Sequence, residues 1–160
     1  MKDLNIKIFE KFDKGWALLT AGTPEHFNTM TISWGGLGTL WSRPVATVYV
    51  KPCRYTYEFM ENSEYFTVSF FPEAFKKDLG LLGSKSGRDG DKLSLTSLHA
   101  KVLENSIGFD EASLTIVCRK AYFQDLALDR IPADAIEHYY KTEPAHRMYI
   151  GEVLDVIENG

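Results

Sequence analysis

Three short segments hold the residues best suited to chemistry. Asn28 to Gly36 reads Asn-Thr-Met-Thr-Ile-Ser-Trp-Gly-Gly, with a small polar residue at every second position over its first half. Arg54 to Phe59 reads Arg-Tyr-Thr-Tyr-Glu-Phe, and Ser84 to Lys92 reads Ser-Lys-Ser-Gly-Arg-Asp-Gly-Asp-Lys. The second and third segments offer cations, hydroxyls and glycine-freed backbone amides. Together these groups suit a flat heteroaromatic that carries a phosphate.

In the first segment, strand alternation puts Phe27, Thr29, Thr31 and Ser33 on one face and Asn28, Met30, Ile32 and Trp34 on the other. A hydroxylic face equally suits a solvated strand, because threonine is a good strand former. Arg54 follows Pro52 and Cys53 and opens a predicted helix, whose first amides and positive dipole end favour an anion that Arg54 can grip bidentately. Taken alone, Arg54 equally suits a surface position, and Tyr55, Tyr57 and Phe59 suit a core. In the third segment, Gly83, Gly87 and Gly90 permit tight amide-donating turns among Lys85, Arg88 and Lys92. Asp89 and Asp91 nearly cancel those cations, as in a solvated loop. Lys85, Ser86 and Arg88 are the predicted phosphate ligands, with Lys92 a further candidate. The segment is not a P-loop, because Gly-x-x-x-x-Gly-Lys-Ser/Thr is absent.

Other chemistries find no support. The chain has no Gly-x-Ser-x-Gly elbow, no His-Glu-x-x-His helix and no Gly-x-Gly-x-x-Gly after a first strand. Cys53 and Cys118 follow no metal-ligand spacing, which argues against zinc and leaves two free thiols as the plain reading. A net charge of −4 argues against a nucleic-acid partner. The charged N-terminus and the absence of a run of roughly 18 apolar residues give the expectation of a soluble, cytoplasmic protein with no membrane partner.

With 160 residues and 44% hydrophobic content, the chain suits a single domain over 1–160. Strands are predicted at Trp16–Ala21, Phe27–Trp34, Val45–Lys51, Tyr65–Phe71, Ser113–Phe123 and Arg147–Ile157, where β-branched and aromatic residues lie between Gly, Pro or Asn. Helices are predicted at Arg54–Glu61, Glu73–Leu82 and from Pro132 to about Tyr140. Many strands with few helices favour a barrel over a doubly wound sheet.

The order and wording of the three chemical segments resemble the flavin reductase-like, FMN-binding split-barrel flavoproteins. The resemblance runs from about Trp16 to Val156 and is strongest from Asn28 to Lys92. It implies a mainly β fold, a six-stranded split β-barrel of Greek-key type with a few short helices, binding FMN near a homodimer interface. Carried over residue by residue, it makes Thr29, Met30, Thr31, Ile32, Ser33 and Trp34 contacts to the isoalloxazine edge. Arg54, Tyr55, Thr56 and Tyr57 become the phosphate and ribityl contacts. Lys85, Ser86, Gly87, Arg88 and Lys92 match the phosphate loop. His146, in His-Arg-Met-Tyr-Ile-Gly-Glu-Val, matches a strand in which many members place a histidine near the open flavin face; on its own it equally suits a surface position. Ser33 and His146 are then the catalytic candidates. The implied activity is NAD(P)H-dependent reduction of flavin, with electrons passed to free flavin, a metal complex or a protein. Two alternatives stay open: a non-catalytic, flavoredoxin-like FMN electron carrier fed by a partner protein, and a barrel that binds another planar ligand such as haem or pyridoxal phosphate.

Overall fold

The computed structural model describes residues 3–159. Among these, nine strands are β1 (Ala17–Gly22), β2 (Phe27–Ile32), β3 (Gly35–Leu40), β4 (Arg43–Val50), β5 (Tyr65–Phe70), β6 (Ala100–Val102), β7 (Ile107–Phe109), β8 (Leu114–Asp125) and β9 (Arg147–Glu158). The helices are α1 (Ile8–Glu10), α2 (Tyr55–Asn62), α3 (Lys76–Ser84) and α4 (Ala133–Tyr139), with a π-helical turn at Lys11–Gly15 and several 3₁₀ turns. Seven strands form one antiparallel sheet in the order β2-β1-β5-β8-β9-β4-β3, and β6 pairs with β7.

Strand alternation explains how this sheet curls. Along β1, Ala17, Leu19 and Ala21 join a core with Val48 of β4, Phe66 and Phe70 of β5, Ile116 of β8 and Tyr149 of β9. Residues of all these strands share one apolar interior, so the sheet wraps round it as a barrel. Each large side chain buried there contributes about 1.5–3 kcal/mol. The other face of the same strands is buried too. Leu18 packs beneath α3 with Leu79 and Leu82, and the Thr67 hydroxyl of β5 donates to the Ile107 carbonyl of β7 at 2.6 Å. Helix α2 plugs the barrel with Phe59 and Met60, and Phe12 of the π-helical turn meets Phe70 edge-on at 5.2 Å.

The sheet has seven strands where the sequence predicts six. The additional strand, β3, lies in Gly35-Gly36-Leu37-Gly38-Thr39-Leu40, whose three glycines hide any alternation and read as a loop. It pairs with β4, and the hairpin turns through Trp41 and Ser42, both at positive φ (53° and 58°). Two successive left-handed residues suit a two-residue hairpin, but Asn-Gly is the usual signal and neither residue here is a glycine. The predicted strand Phe27–Trp34 ends at Ile32, so Ser33 and Trp34 form the link from β2 to β3. Those two strands are the two edges of the sheet, and the barrel is split between them. The third predicted helix begins one residue late, and the second divides into a 3₁₀ turn at Glu73–Phe75 followed by α3. Among the described residues no helix is long and apolar enough to cross a membrane.

Behind α2 an ionic staple joins it to the longest strands. The fully buried Tyr149 donates its hydroxyl to Glu61 at 2.7 Å, and Arg147 bridges Glu61 at 2.8 Å and Asp125 at 2.7 Å. Burial works to raise the Glu61 carboxyl, but these donors outweigh it and hold the pKa below the ordinary value. Beside the staple, the β8–β9 pairing shifts register between Lys120 and Tyr122, and Gly151 faces this bulge. A Cβ at Gly151 would lie 2.7 Å from the Cβ of Cys118 and against the Phe66 ring, whereas one at Gly36 would meet nothing within 4 Å. Gly151→Ala is therefore expected to destabilise the protein by about 1–3 kcal/mol through overpacking, and Gly36→Ala to be near neutral. Urea unfolding of the two variants checks the contrast.

Candidate functional site

The three chemical segments converge on one cavity of about 350 Å³. Its floor is the outer edge of β2, at Asn28, Met30 and Thr31. One wall is Cys53, Arg54, Tyr55 and Thr56 at the start of α2; the other is Leu82 to Arg88, running from the end of α3 into the following loop, with Lys92 behind it. Because β2 pairs only with β1, its far edge is free of any ladder. That places unpaired strand amides along the cavity, a donor row of the kind an edge strand presents. Consecutive residues Met30 and Thr31 both line the cavity because the cavity meets the strand edge-on.

Close backbone approach holds the walls together. A Cβ on Gly87 would overlap the side-chain oxygen of Asn28 and press on the Tyr55 ring, so the loop reaches β2 only as glycine. Asn28 in turn donates to the Thr56 hydroxyl at 2.8 Å, fixing β2 to the first turn of α2. Arg54 is the extended residue before that helix (φ −80°, ψ 142°), the backbone geometry usual at an N-cap, and its side chain caps nothing.

The cations differ in availability. Arg88 is engaged: it pairs with Glu58 at 2.9 Å, donates to the Cys53 carbonyl at 3.2 Å and lies over the Tyr55 ring at 4.9 Å. Arg54 and Lys85 make no ion pair or side-chain hydrogen bond among the described residues. Lys92 is buried, 7% exposed, and its ammonium donates to the Leu82 and Lys85 carbonyls at 3.1 and 3.2 Å. An ammonium has three donors, so one is left for the cavity that Lys92 lines. Burial, helped by the charge of Arg54, lowers its pKa from 10.5 to about 8.

Of the other predicted residues, Thr29, Ile32, Ser33, Trp34, Tyr57 and His146 lie outside this cavity, and Thr31 lines it with its hydroxyl turned to α3. The Thr29 hydroxyl is used inside the fold, 2.9 Å from that of Thr20 and 3.2 Å from the Leu19 carbonyl, and Thr31 donates to the Leu79 carbonyl at 2.5 Å. The family resemblance implies ligand contacts from these residues; Thr20 and Leu19 of β1 engage the Thr29 hydroxyl and Leu79 of α3 that of Thr31, and the strand backbone remains as a donor. Ile32 points into the barrel core. Tyr57 faces the Glu61–Arg147 staple on the other side of α2, where burial and then Glu61 raise its phenol pKa. Asn28, placed by alternation on the face opposite the hydroxyls, lines the cavity together with Thr31, and Cys53 and Gly83 join them.

Trp34 and His146 meet beyond the end of β2, with Ser33 beside Trp34 in the link to β3. His146 is half-buried, with its ring 5.4 Å from that of Trp34, 6.5 Å from Tyr49 and 5.5 Å from Tyr140; Trp34 also meets Tyr139 edge-on at 4.8 Å. Burial, with Lys51 and Arg54 nearby, lowers the His146 pKa from 6.5 to about 4, so the ring is neutral at pH 7.

Residues 9–160 match the family model of the flavin reductase like domain. The chain belongs to that family. No curated protein matches the sequence. Among solved structures, this flavin reductase-like chain is similar to the flavoredoxin of Methanosarcina acetivorans at 21% identity and a TM-score of 0.70, over 91% of this chain and 68% of that one. The flavoredoxin of Desulfovibrio vulgaris (Miyazaki F) gives 20% and 0.70, over 90% and 69%. An FMN-binding protein from Thermus thermophilus, solved with bound 1-cyclohex-2-enone, gives 18% and 0.73, over 99% and 80%. At these identities the likeness establishes the split-barrel fold.

Lys92 supplies a test of the site's electrostatics. Its folded pKa of about 8 lies below the ordinary 10.5, so between those values the unfolded chain holds the extra proton and the stability of the ligand-free protein rises with pH. Lys92→Met should lack that part of the rise. Urea unfolding of parent and variant from pH 7.5 to 10 checks it; parallel profiles would show that Lys92 titrates normally.

Proposed function

We propose that the chain binds FMN, with the phosphate in the cavity between Arg54 and Lys92 and the ring along the edge of β2, and reduces it with NAD(P)H. The observation that carries this reading is the convergence of the unpaired Arg54 and Lys85 and the buried Lys92 on one cavity floored by a free strand edge. The donor set fits the group: cations and loop amides suit a phosphate dianion, and Gly87 lets the loop backbone come into contact with Asn28 and Tyr55 at the cavity. When bound, the flavin supplies hydride and one-electron chemistry.

The chain's own residues bind, orient and exclude. Arg54, Lys85 and the third donor of Lys92 hold the phosphate, with Ser86 and the amides around Gly87 completing the cradle. Amides of β2 donate to the pyrimidine edge of the ring. Ser33, Trp34 and His146 form the far wall, where a nicotinamide would lie. The neutral His146 acts there as a hydrogen-bonding group and not as a charged acid. A second reading, an FMN electron carrier fed by a protein partner, draws on the two similar flavoredoxin structures. Anaerobic bleaching by NADH or NADPH favours the reductase; its absence with both favours the carrier. The family resemblance also supports a homodimer, which would cover some of the exposed aromatics, Trp41 and Phe123 among them.

FMN is expected to bind more tightly than riboflavin, because the cations meet a phosphate that riboflavin lacks. A charge-assisted contact is worth about 1.5–3 kcal/mol, so Arg54→Ala should lower FMN affinity about tenfold to a hundredfold and leave riboflavin unchanged. Arg88→Ala should cost less, since Arg88 must leave Glu58 to reach a ligand. Fluorescence titration measures each of these affinities, and light scattering of the loaded protein should give twice the 18.2 kDa chain mass. Equal affinity for FMN and riboflavin would overturn the phosphate assignment.

His146→Ala is expected to leave FMN affinity unchanged and slow flavin bleaching by about tenfold or more. Because the ring titrates near pH 4, the parent's bleaching rate should show no histidine limb between pH 5.5 and 8. Stopped-flow spectroscopy over that range reads both, and an inflection near 6.5 that vanishes in the variant would show a solvated, titrating histidine.

A further inference from the structure

We propose that Tyr140 is a positioning residue that holds His146 with its Nδ1 occupied, so that His146 presents Nε2–H as a donor to the carbonyl oxygen of the incoming ligand. The proposal rests on the reading of His146 given above and names the group that makes that histidine directional.

The Tyr140 hydroxyl lies 2.6 Å from His146 Nδ1. Burial raises the phenol pKa of Tyr140, while a hydrogen bond from the His146 backbone N–H acts to lower it. The phenol is therefore protonated at pH 7 and has a proton to donate, with Nδ1 within its reach at 2.6 Å. Its own proton goes to the ring nitrogen. A neutral imidazole carries one N–H, and the nitrogen that accepts a hydrogen bond is the one without it. The proton of His146 is thus at Nε2.

Tyr140 is itself held independently of His146. It follows α4 as that helix's C-cap, with its N–H on the Ile136 carbonyl. Lys51, the residue after β4, reaches over its ring at 5.4 Å and ties down the surrounding loop by donating to the Tyr139 carbonyl at 2.9 Å and to Glu143 at 2.6 Å. The other rings around His146 are those of Trp34 and Tyr49, and aromatic edges leave an imidazole free to turn over. The Tyr140 hydroxyl distinguishes one ring orientation from its flipped counterpart, in which a carbon would replace Nε2.

The donor so fixed lies among flat side chains at the end of the free β2 edge. Aromatic walls with one N–H suit a planar ring bearing a carbonyl acceptor, as in an aromatic carboxamide. A charged imidazole there would instead select an anion, but Lys51 and Arg54 on one side and burial on the other keep the ring neutral, with Glu143 opposing them weakly.

The test compares the full-length parent with Tyr140→Phe, which keeps the ring and removes only the hydroxyl. In the ligand-free protein, ¹⁵N NMR of the histidine side chains should show His146 protonated at Nε2 with Nδ1 in the range of a hydrogen-bonded acceptor. In the variant, Nδ1 should move to the position of an unbonded nitrogen. A protonated Nδ1 in the parent, or an unmoved Nδ1 in the variant, overturns the proposal. The second measurement titrates the FMN-loaded proteins with nicotinamide and with 3-methylpyridine, which has the same ring without the carbonyl. The parent should prefer nicotinamide, and Tyr140→Phe should shrink that preference about three- to tenfold while leaving 3-methylpyridine unchanged. Equal losses for both probes would mean a structural role only and overturn the donor assignment. A shifted Nδ1 with no change in either affinity would overturn it too, together with the role proposed for His146. Failure to load FMN would fall on the function reading alone, because the ¹⁵N result is obtained without it.

Discussion

An ammonium buried beneath a loop is the constraint on which this site depends. Lys92 lies under the segment that follows α3, with carbonyls of Leu82 and Lys85 as its partners and the guanidinium of Arg54 near enough to oppose its charge. Carbonyl oxygens solvate a cation only in part, and a like charge nearby raises the cost further. The ligand-free fold therefore holds a charge it would be more stable without. An anion in the cavity reverses the sign of that term, because it faces Lys92, Arg54 and Lys85 together. The site's preference for a phosphate thus resides in the folded chain before any ligand arrives.

The barrel's split positions everything else. Since β2 is an edge strand, its amides face outward, and α2 and α3 come to it from two sides. Thr31 reaches the last turns of α3 through the Leu79 carbonyl, and Asn28 reaches α2 through Thr56. These two hydrogen bonds set the width of the cavity. The loop between α3 and β6 can close over it only because Gly87 lets the backbone touch Asn28. On the far side of α2, the Tyr149–Glu61–Arg147 staple fixes the helix that presents Arg54. Cavity geometry is therefore set by groups that do not line it.

Much of this was legible in the sequence. Six of the seven sheet strands and all three predicted helices follow from alternation, from Pro52 and Pro132 and from the Phe75, Leu79, Leu82 spacing. The three segments that meet at the cavity were identified by their residue types. What stayed hidden depended on long-range contacts. Strand β3 carries no pattern of its own, because three glycines satisfy its half of the ladder with β4 without supplying side chains. Alternation showed that Thr29 and Thr31 share a face but not that Thr20 and Leu79 would take their hydroxyls. Charge counting placed Arg88, Lys85 and Lys92 alike in a solvated loop, although one pairs with Glu58, one is unpaired and one is buried. Which cation is available is a tertiary fact, and it moves the emphasis from Arg88 to Arg54.

Arg54 links the two ends of the site. Its charge lowers the pKa of Lys92 in the cavity and of His146 beyond the end of β2, in both cases after burial. A ligand in the cavity changes the field of Arg54. A phosphate dianion beside Arg54 offsets it, and both neighbouring pKa values then move upward. For Lys92, starting from about 8, the move ensures full protonation at neutral pH and strengthens the hold on the anion. For His146, starting from about 4, even a shift of one unit leaves the imidazole neutral at pH 7. The same residue can therefore tighten one end of the site without converting the histidine at the other end from a neutral donor into an acid. That asymmetry follows from the different ordinary pKa values of an ammonium and an imidazole, 10.5 and 6.5, lowered by similar amounts, and needs no conformational change to carry it.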